Sequence, residues 1–61
     1  MSDFAPVIRE ARTSRGWSQD ELARRAGLSR PTIARVERGD DVHTGTIAAI
    51  AEALGLTFEL R

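Results

Sequence analysis

The 61-residue sequence contains no cysteine, no lysine and only one histidine. Without thiols, neither a disulfide framework nor a thiolate metal site can form, and His43 alone does not make a structural metal site. A chain this short buries only about 60% of the surface that its unfolded form exposes, so its stability is marginal. We therefore expect a single domain, 1–61, with no cofactor and no metal, to which a partner subunit would add stability.

Long apolar runs are also missing. The first ten residues, MSDFAPVIRE, are charged and lack the apolar core of a signal peptide. No run approaches the 18 apolar residues of a membrane-spanning helix. The sequence shows no nucleophile–base pair, no cluster of metal ligands and no glycine-rich phosphate loop. We therefore expect a cytoplasmic location, no membrane partner and no enzymatic activity.

The formal net charge is zero, but the charge is unevenly distributed along the chain. Between residues 9 and 38, eight arginines oppose four acidic residues, which gives a balance of +4. Residues 39–61 carry one arginine and four acidic residues, a balance of −3. Local electrostatic fields matter more than the total charge for the choice of partner.

Apolar periodicity and capping signals predict an all-α domain of four helices. Ser18, followed three residues later by Glu21, is a capping box, and Trp17 before it can pack on Leu22 as a hydrophobic staple. The predicted helices occupy about 3–15, 19–26, 30–38 and 45–54.

The second and third helices are joined very tightly. Only Leu28 separates Gly27, which ends the second helix, from Ser29, which caps the third. Two short helices joined by a tight turn that contains glycine are the helix-turn-helix pattern.

The third helix presents an unusual outward face. At about 100° per residue, Ile33 and Val36 define its buried side. Arginine can bond guanine bidentately or bind phosphate, and small residues allow close approach. The face contains no acid, because Glu37 lies on its flank. It consists of three arginines around two small side chains: Arg30, Pro31, Ala34, Arg35 and Arg38.

The alternative is that this charged face is merely solvated, as on most amphipathic helices. The neighbouring helix illustrates that alternative. There we expect the i, i+4 ion pairs Asp20–Arg24 and Glu21–Arg25 on the exposed side, where they serve helix solubility. Arg24 and Arg25 are therefore excluded from the predicted binding site.

The segment SQDELARRAGLSRPTIARVERG closely resembles the lambda-repressor-like helix-turn-helix family, which includes phage Cro proteins, restriction controllers and many antitoxins. The continuation TIAAIAEALG is similar to the fourth helix of that family, so the resemblance covers residues 17–55. It implies a DNA-binding protein in which the third helix is the recognition helix.

The resemblance also implies a role for each matching position. Base-reading positions fall on Arg30, Pro31, Ala34 and Arg35. DNA-backbone positions fall on Ser18, Gln19, Ser29, Thr32 and Arg38. In related repressors a first-helix arginine pairs inside the domain with a third-helix glutamate, which here implies a structural ion pair between Arg12 and Glu37, with a DNA contact of Arg12 as the alternative.

Other positions carry simpler interpretations. Trp17 is interpreted as a core or staple residue rather than a base-stacking platform, and His43 as a loop or cap residue rather than a phosphate contact. Two departures from the family matter. Asp40 and Asp41 stand in a loop that is often basic, so they should repel phosphates unless the loop turns away. Thr44 stands where the family prefers an apolar residue.

The last six residues, LTFELR, change from helical to two-residue periodicity. This pattern predicts a short strand over 56–60 with an apolar row of Leu56, Phe58 and Leu60. A lone strand is unstable in water, so we expect it to pair with its copy across a homodimer. The tail is similar to that of antitoxins that partner kinase-type persistence toxins. A fifth helix or a disordered end remains an alternative.

The sequence thus predicts a homodimeric transcriptional repressor that binds a pseudo-palindromic operator, because two recognition helices read two half-sites about 34 Å apart. Such a protein would be nucleoid-associated when bound to DNA. An antitoxin that represses its own operon and binds a cognate toxin is slightly favoured over a stand-alone regulator. The alternative from another class is a protein-interaction module with the same fold and little DNA binding, which the two aspartates and the neutral total favour.

Overall fold

The computed structural model describes residues 4–56, and these form α-helices only, which confirms the all-α prediction. The helices α2 and α3 have the predicted bounds, α1 ends one residue earlier than predicted, and α4 begins one residue earlier than predicted. No described helix is both long enough and apolar enough to span a membrane. The four helices are α1 (Phe4–Ser14), α2 (Gln19–Ala26), α3 (Arg30–Arg38) and α4 (Thr44–Leu54).

Serine residues are the N-caps of both helices of the helix-turn-helix. The Ser18 Oγ accepts a hydrogen bond from the backbone N–H of Glu21 at 3.0 Å, and the Ser29 Oγ accepts one from Thr32 at 3.4 Å. The predicted capping box is only half formed. The carboxylate of Glu21 binds the guanidinium groups of Arg24 and Arg25, which are stronger partners for a carboxylate than a neutral backbone N–H.

Glycine makes the tight turn between α2 and α3 possible. Gly27 has φ 71°, a left-handed conformation that residues with a Cβ rarely adopt. In this conformation the N–H of Leu28 donates back to the carbonyl of Ala23 at 2.8 Å, which satisfies an orphan carbonyl at the end of α2. The turn therefore sets the angle at which α3 leaves α2.

His43 begins α4. Its Nδ1 accepts a hydrogen bond from the N–H of Gly45 at 3.0 Å, so the imidazole performs the capping role that serine performs at α2 and α3. This confirms the cap interpretation of His43. It also explains why α4 begins at Thr44 although an apolar residue is usual there.

One hydrophobic cluster holds the four helices together. The helix α3 packs on α1 and α2, and α4 packs on the same two helices. Trp17 and Leu28 lie at the edge of this cluster, half-buried against it, as expected of staple residues. The fully buried side chains come from all four helices: Ile8, Leu22, Ile33, Val36, Ile50 and Leu54.

Two arginines also stabilise the packing of the helices. Arg15 donates to the carbonyl of Leu54 and so places a positive charge at the C-terminal end of α4, where the helix dipole favours it. The guanidinium of Arg25 lies 4.2 Å from the centroid of the Trp17 ring, within cation–π range. Because Trp17 packs against the core and Arg25 lies over its ring, it does not form a free stacking platform.

The predictions for the tail concern residues that lie almost wholly outside the described part of the chain. Leu56 has no regular secondary structure and packs against the hydrophobic cluster. Phe58 and Leu60, the other two members of the predicted dimer row, are not among the described residues.

Candidate nucleic-acid interface

The outward face of α3 carries the arginines as the helical periodicity predicts. Ile33 and Val36 are fully buried, whereas Arg30, Pro31, Arg35 and Arg38 are exposed and Ala34 is half-buried. The face is therefore basic, and its middle carries only small side chains that protrude little from the helix. This is the shape that allows a helix to approach the floor of a groove while long side chains reach past it.

Two of these arginines are almost unengaged. Arg35 forms no ion pair or hydrogen bond with any residue in the described part of the chain. The Arg30 Nε lies 3.8 Å from the Asp20 Oδ1, which is too long for a hydrogen bond, and both side chains are largely exposed. Such a pair contributes little free energy, so Arg30 can exchange it for another anion.

Arg38 is held by its own loop. Its Nη2 and Nε donate to the Asp40 Oδ2 at 2.6 and 3.2 Å. Gly39, between them, has φ 94° and turns the chain so that the residue after it returns beside the guanidinium. Asp40 therefore does not stand apart from the basic face: it neutralises one arginine of that face.

This pair shifts the acid–base equilibria of both groups. The hydrogen bond from Arg38 lowers the pKa of the Asp40 carboxyl, and the same bond raises the pKa of Arg38. A lowered carboxyl pKa means that the pair stabilises the folded chain above the ordinary carboxyl range and is lost as the pH falls through the pKa of Asp40. At neutral pH the pair is fully ionised.

Behind the basic face lies a more buried polar network. The Arg12 Nε and Nη2 donate to the two carboxylate oxygens of Glu37 at 2.6 and 2.9 Å, and Nη1 donates to the carbonyl of Trp17 at 2.8 Å. The two side chains retain only 12% and 5% of their exposure. The hydrogen bond to Glu37 raises the pKa of Arg12. This network ties α1 to α3 and to the start of α2.

Gln19 joins the same network. Its Nε2 donates to the Glu37 Oε1 at 3.3 Å, which fixes the amide at the first residue of α2. An amide nitrogen carries two hydrogens, so one N–H of Gln19 is not used by Glu37. The structure therefore orients Gln19 and leaves it a donor.

The hydroxyl groups at the starts of α2 and α3 are likewise only partly used. Ser18 and Ser29 accept backbone hydrogen bonds with an oxygen lone pair, which leaves their hydroxyl hydrogens unassigned. The Ser29 Oγ and the Thr32 Oγ1 lie 2.9 Å apart, and a bond between them uses only one of the two hydrogens. Each helix start thus retains a hydroxyl donor.

The exposed charges of α2 differ from the predicted pairs in one respect. Glu21 binds Arg25 at 2.7 Å, as predicted, and also binds Arg24. The predicted pair between Asp20 and Arg24 is wrong, because Arg24 turns to the closer carboxylate three residues before it. Both arginines are nevertheless engaged on α2 itself.

Arg9 on α1 was not predicted as a site residue. It is exposed, makes no ion pair or hydrogen bond with the described residues, and lines a surface cleft together with Ala34 and Arg38 of the basic face. No single-helix pattern signals this position, because it depends on how α1 packs on α3.

Comparison with known proteins gives consistent results. Residues 8–60 match the protein-family model described as helix-turn-helix. The chain is 42% identical over 50 residues to a protein of Neisseria meningitidis serogroup B described as a hypothetical transcription factor, which covers 80% of this chain and 47% of that protein. It is 41% identical over 54 residues to a protein of Archaeoglobus fulgidus described as a "putative HTH-type transcriptional regulatory protein", which covers 88% of this chain and 17% of that protein. The chain thus spans about half, or less, of the length of these relatives.

Proposed function

Because the chain belongs to the helix-turn-helix family of the Cro/C1 type, we propose that it is a DNA-binding transcriptional regulator with α3 as its recognition helix. The observation that carries this proposal is the outward face of α3, where Arg35 is exposed beside the small side chain of Ala34 and forms no ion pair or hydrogen bond with the described residues. In this arrangement α3 enters the major groove and its first residues meet the base edges.

Base reading falls to the middle and the start of this face. Arg30 and Arg35 supply guanidinium groups that can bond guanine O6 and N7 bidentately. Pro31 and Ala34 supply small apolar surfaces that permit close approach and suit a thymine methyl group. Arg35 is the principal base-reading residue in this proposal, because it forms no ion pair or hydrogen bond with the described residues and interacts with Asp40 only through longer-range electrostatic attraction.

The DNA backbone is held by donors around this face. Ser18 and Gln19 stand at the start of α2 and Ser29 and Thr32 at the start of α3, where the helix dipole favours an anion. Ser18 and Gln19 keep a hydroxyl and an amide donor, and Ser29 and Thr32 keep one hydroxyl donor between them. Arg38 has three further N–H groups beyond the two that bind Asp40, so it can bind a phosphate as well.

We propose that the functional unit is a homodimer that represses transcription at a pseudo-palindromic operator. One recognition helix reads only a few base pairs, whereas two helices about one helical turn apart read two half-sites. The alternating row of Leu56, Phe58 and Leu60 supplies the pairing surface in this proposal. A role as an antitoxin that represses its own operon and binds a toxin rests on the same six-residue tail.

A second candidate function is a protein-interaction module with little DNA binding. The observation that favours it is the pairing of Arg38 with Asp40, which removes one cation from the basic face. The exposed and unpaired Arg35 opposes it.

The test is selection of bound sequences from random duplex DNA at about 150 mM salt, where specific contacts stand out over general charge attraction. We expect a pseudo-palindromic site. Arg35→Ala should weaken binding to that site by about 1–3 kcal/mol and relax the preference at one base position in each half-site.

The matched control is Arg24→Ala, which removes the same charge from a side chain that is engaged on α2 and 75% exposed. It should leave the base preference unchanged. Recovery of no preferred sequence by the wild-type chain would favour the interaction module. An equal loss of affinity for every sequence in Arg35→Ala would make Arg35 a phosphate contact.

A further inference from the structure

A cleft of about 230 Å³ lies where α1, α2 and α3 meet. We refer to it as the Arg9 cleft. This volume far exceeds the roughly 10–15 Å³ that one water molecule needs, so a phosphate group can enter the cleft. It opens beside the basic face of α3, and its lining comes from all three helices: Arg9, Arg12, Gln19, Ala34, Glu37 and Arg38.

The inner part of the cleft is electrically balanced. Arg12 and Glu37 neutralise each other through two hydrogen bonds, and Gln19 donates to the same carboxylate. Glu37 is therefore already satisfied and repels an incoming anion much less than a free carboxylate would. The remaining donors at this depth are N–H groups, which suit an anion.

The rim of the cleft is positive. Arg9 is exposed and forms no ion pair or hydrogen bond with the described residues, and Arg38 has N–H groups beyond those that bind Asp40; both line the cleft. Among residues 4–56, no other arginine outside α3 combines exposure, an absence of such partners and a place in this lining. Arg24 and Arg25 bind Glu21, and Arg15 binds backbone carbonyls.

The position of the cleft points to its occupant. Ala34 lines the cleft and also belongs to the outward face of α3, so the cleft adjoins the surface proposed to enter the major groove. The groups that border a major groove are the backbone phosphates of the duplex, and phosphate contacts fix the orientation of a protein on DNA. An anion in the cleft would lie against α1, α2 and α3 together.

We propose that the Arg9 cleft holds one backbone phosphate of the duplex bound by α3, with Arg9 as a phosphate ligand supplied by α1. This inference rests on the proposed DNA-binding function and adds a contact from a helix outside the helix-turn-helix. A phosphate there ties α1 to the duplex and sets the tilt of α3 in the groove.

The experiment measures the salt dependence of binding by the full chain. Fluorescence anisotropy from 50 to 200 mM NaCl uses two probes: a mixed-sequence duplex of about 24 base pairs and the duplex recovered by selection. The proteins are the wild type, Arg9→Ala, Arg9→Lys and Arg24→Ala. Arg9→Gln, which keeps part of the aliphatic stem, is a second neutral variant in case alanine lowers the thermal unfolding midpoint.

A phosphate contact contributes about 0.9 to the slope of log K against log salt concentration. We expect Arg9→Ala to lose about that amount on both probes, so that its deficit relative to wild type shrinks about three- to fourfold between 50 and 200 mM salt. The ratio of affinities for the two probes should not change, because phosphate contacts carry no sequence information. Arg9→Lys, which keeps the charge, and Arg24→Ala should both retain the wild-type slope.

The outcomes separate the two proposals. A slope for Arg9→Ala and Arg9→Gln that equals the slope for Arg24→Ala overturns the assignment of the cleft. If Arg35→Ala still relaxes the base preference in that case, the proposed function stands without it. Failure of the wild-type chain to bind either duplex overturns both.

Discussion

Replacing Arg12 should remove most of the stability of this domain. Its guanidinium makes two hydrogen bonds to Glu37 and one to the carbonyl of Trp17, and the Glu37 side chain is only 5% exposed. In Arg12→Met the aliphatic stem is largely kept, but the carboxylate remains in its buried position with Gln19 as its last partner. Breaking one side of a buried ion pair costs about 3–5 kcal/mol, chiefly because a buried charge is left uncompensated.

That cost is large for a chain of this length. At about 0.05–0.15 kcal/mol per residue, the total free energy of unfolding is about 3–9 kcal/mol. The assay is urea unfolding followed by the fluorescence of Trp17, the only tryptophan, whose carbonyl is one of the partners of Arg12. Far-UV circular dichroism must give the same midpoint for a two-state analysis to hold.

Two comparison variants sharpen the measurement. Arg24→Ala breaks an exposed ion pair and should cost no more than about 1 kcal/mol. Replacing Arg12 and Glu37 together by methionine removes both charges and should recover much of the loss, because an apolar pair of similar size often substitutes for a buried ion pair. The reasoning is refuted if Arg12→Met costs no more than Arg24→Ala, since the buried carboxylate would then need no partner.

Two further predictions concern the loop and the tail. Asp40→Asn should raise the affinity for every duplex and steepen the slope of log K against log salt concentration by up to about 1, because Arg38 is freed for a phosphate. In a chain that also carries Arg38→Ala, the effect of Asp40→Asn should be much smaller. An equal effect with and without Arg38 would rule out the ion pair as its cause. Deleting residues 57–61 should give monomers in multi-angle light scattering if the tail pairs across the dimer, and a truncated chain that remains dimeric contradicts that role.

The parts of the fold that follow from the sequence are those set by contacts within a few residues. Ser18 and Ser29 cap helices three residues ahead, and Gly27 supplies the one left-handed conformation that the turn needs. These signals are local because a cap or a turn closes over a single helical turn. The bounds of α2 and α3 could therefore be predicted without knowledge of the tertiary structure.

Side-chain partners were harder to predict when several were within reach. Arg24 can approach either Asp20 or Glu21, and the choice depends on rotamers that helical spacing alone does not specify. The pairing of Arg38 with Asp40 arises across Gly39, where the chain leaves the helix and helical spacing no longer applies. From the sequence we expected Asp40 and Asp41 either to repel phosphates or to lie in a loop that turns away from the DNA. The ion pair of Asp40 with an arginine of the basic face is a third arrangement.

Contacts between distant segments divide into two kinds. The ion pair of Arg12 with Glu37 was inferred from the resemblance to a family, not from spacing, and the structure places these two side chains together. Neither the family resemblance nor residue spacing predicts the Arg9 cleft. Its lining comes from three helices, so it exists only once α1 has packed against α2 and α3.

The ion pairs of the acidic residues explain how a chain with zero net charge can have an anion as its proposed partner. Each acid with a close ion pair in the described residues takes up particular arginines: Glu37 binds Arg12, Glu21 binds Arg24 and Arg25, and Asp40 binds Arg38. The arginines left without a close ion pair beside the basic face are Arg9, Arg30 and Arg35. Asp20 lies 3.8 Å from Arg30 and Asp40 interacts with Arg35 at longer range, but neither acid binds these arginines closely, so all three guanidinium groups stay available to an anion on this face. Net charge is therefore a poor guide to DNA binding in a domain of this size, and the unpaired arginines on one face are a better one.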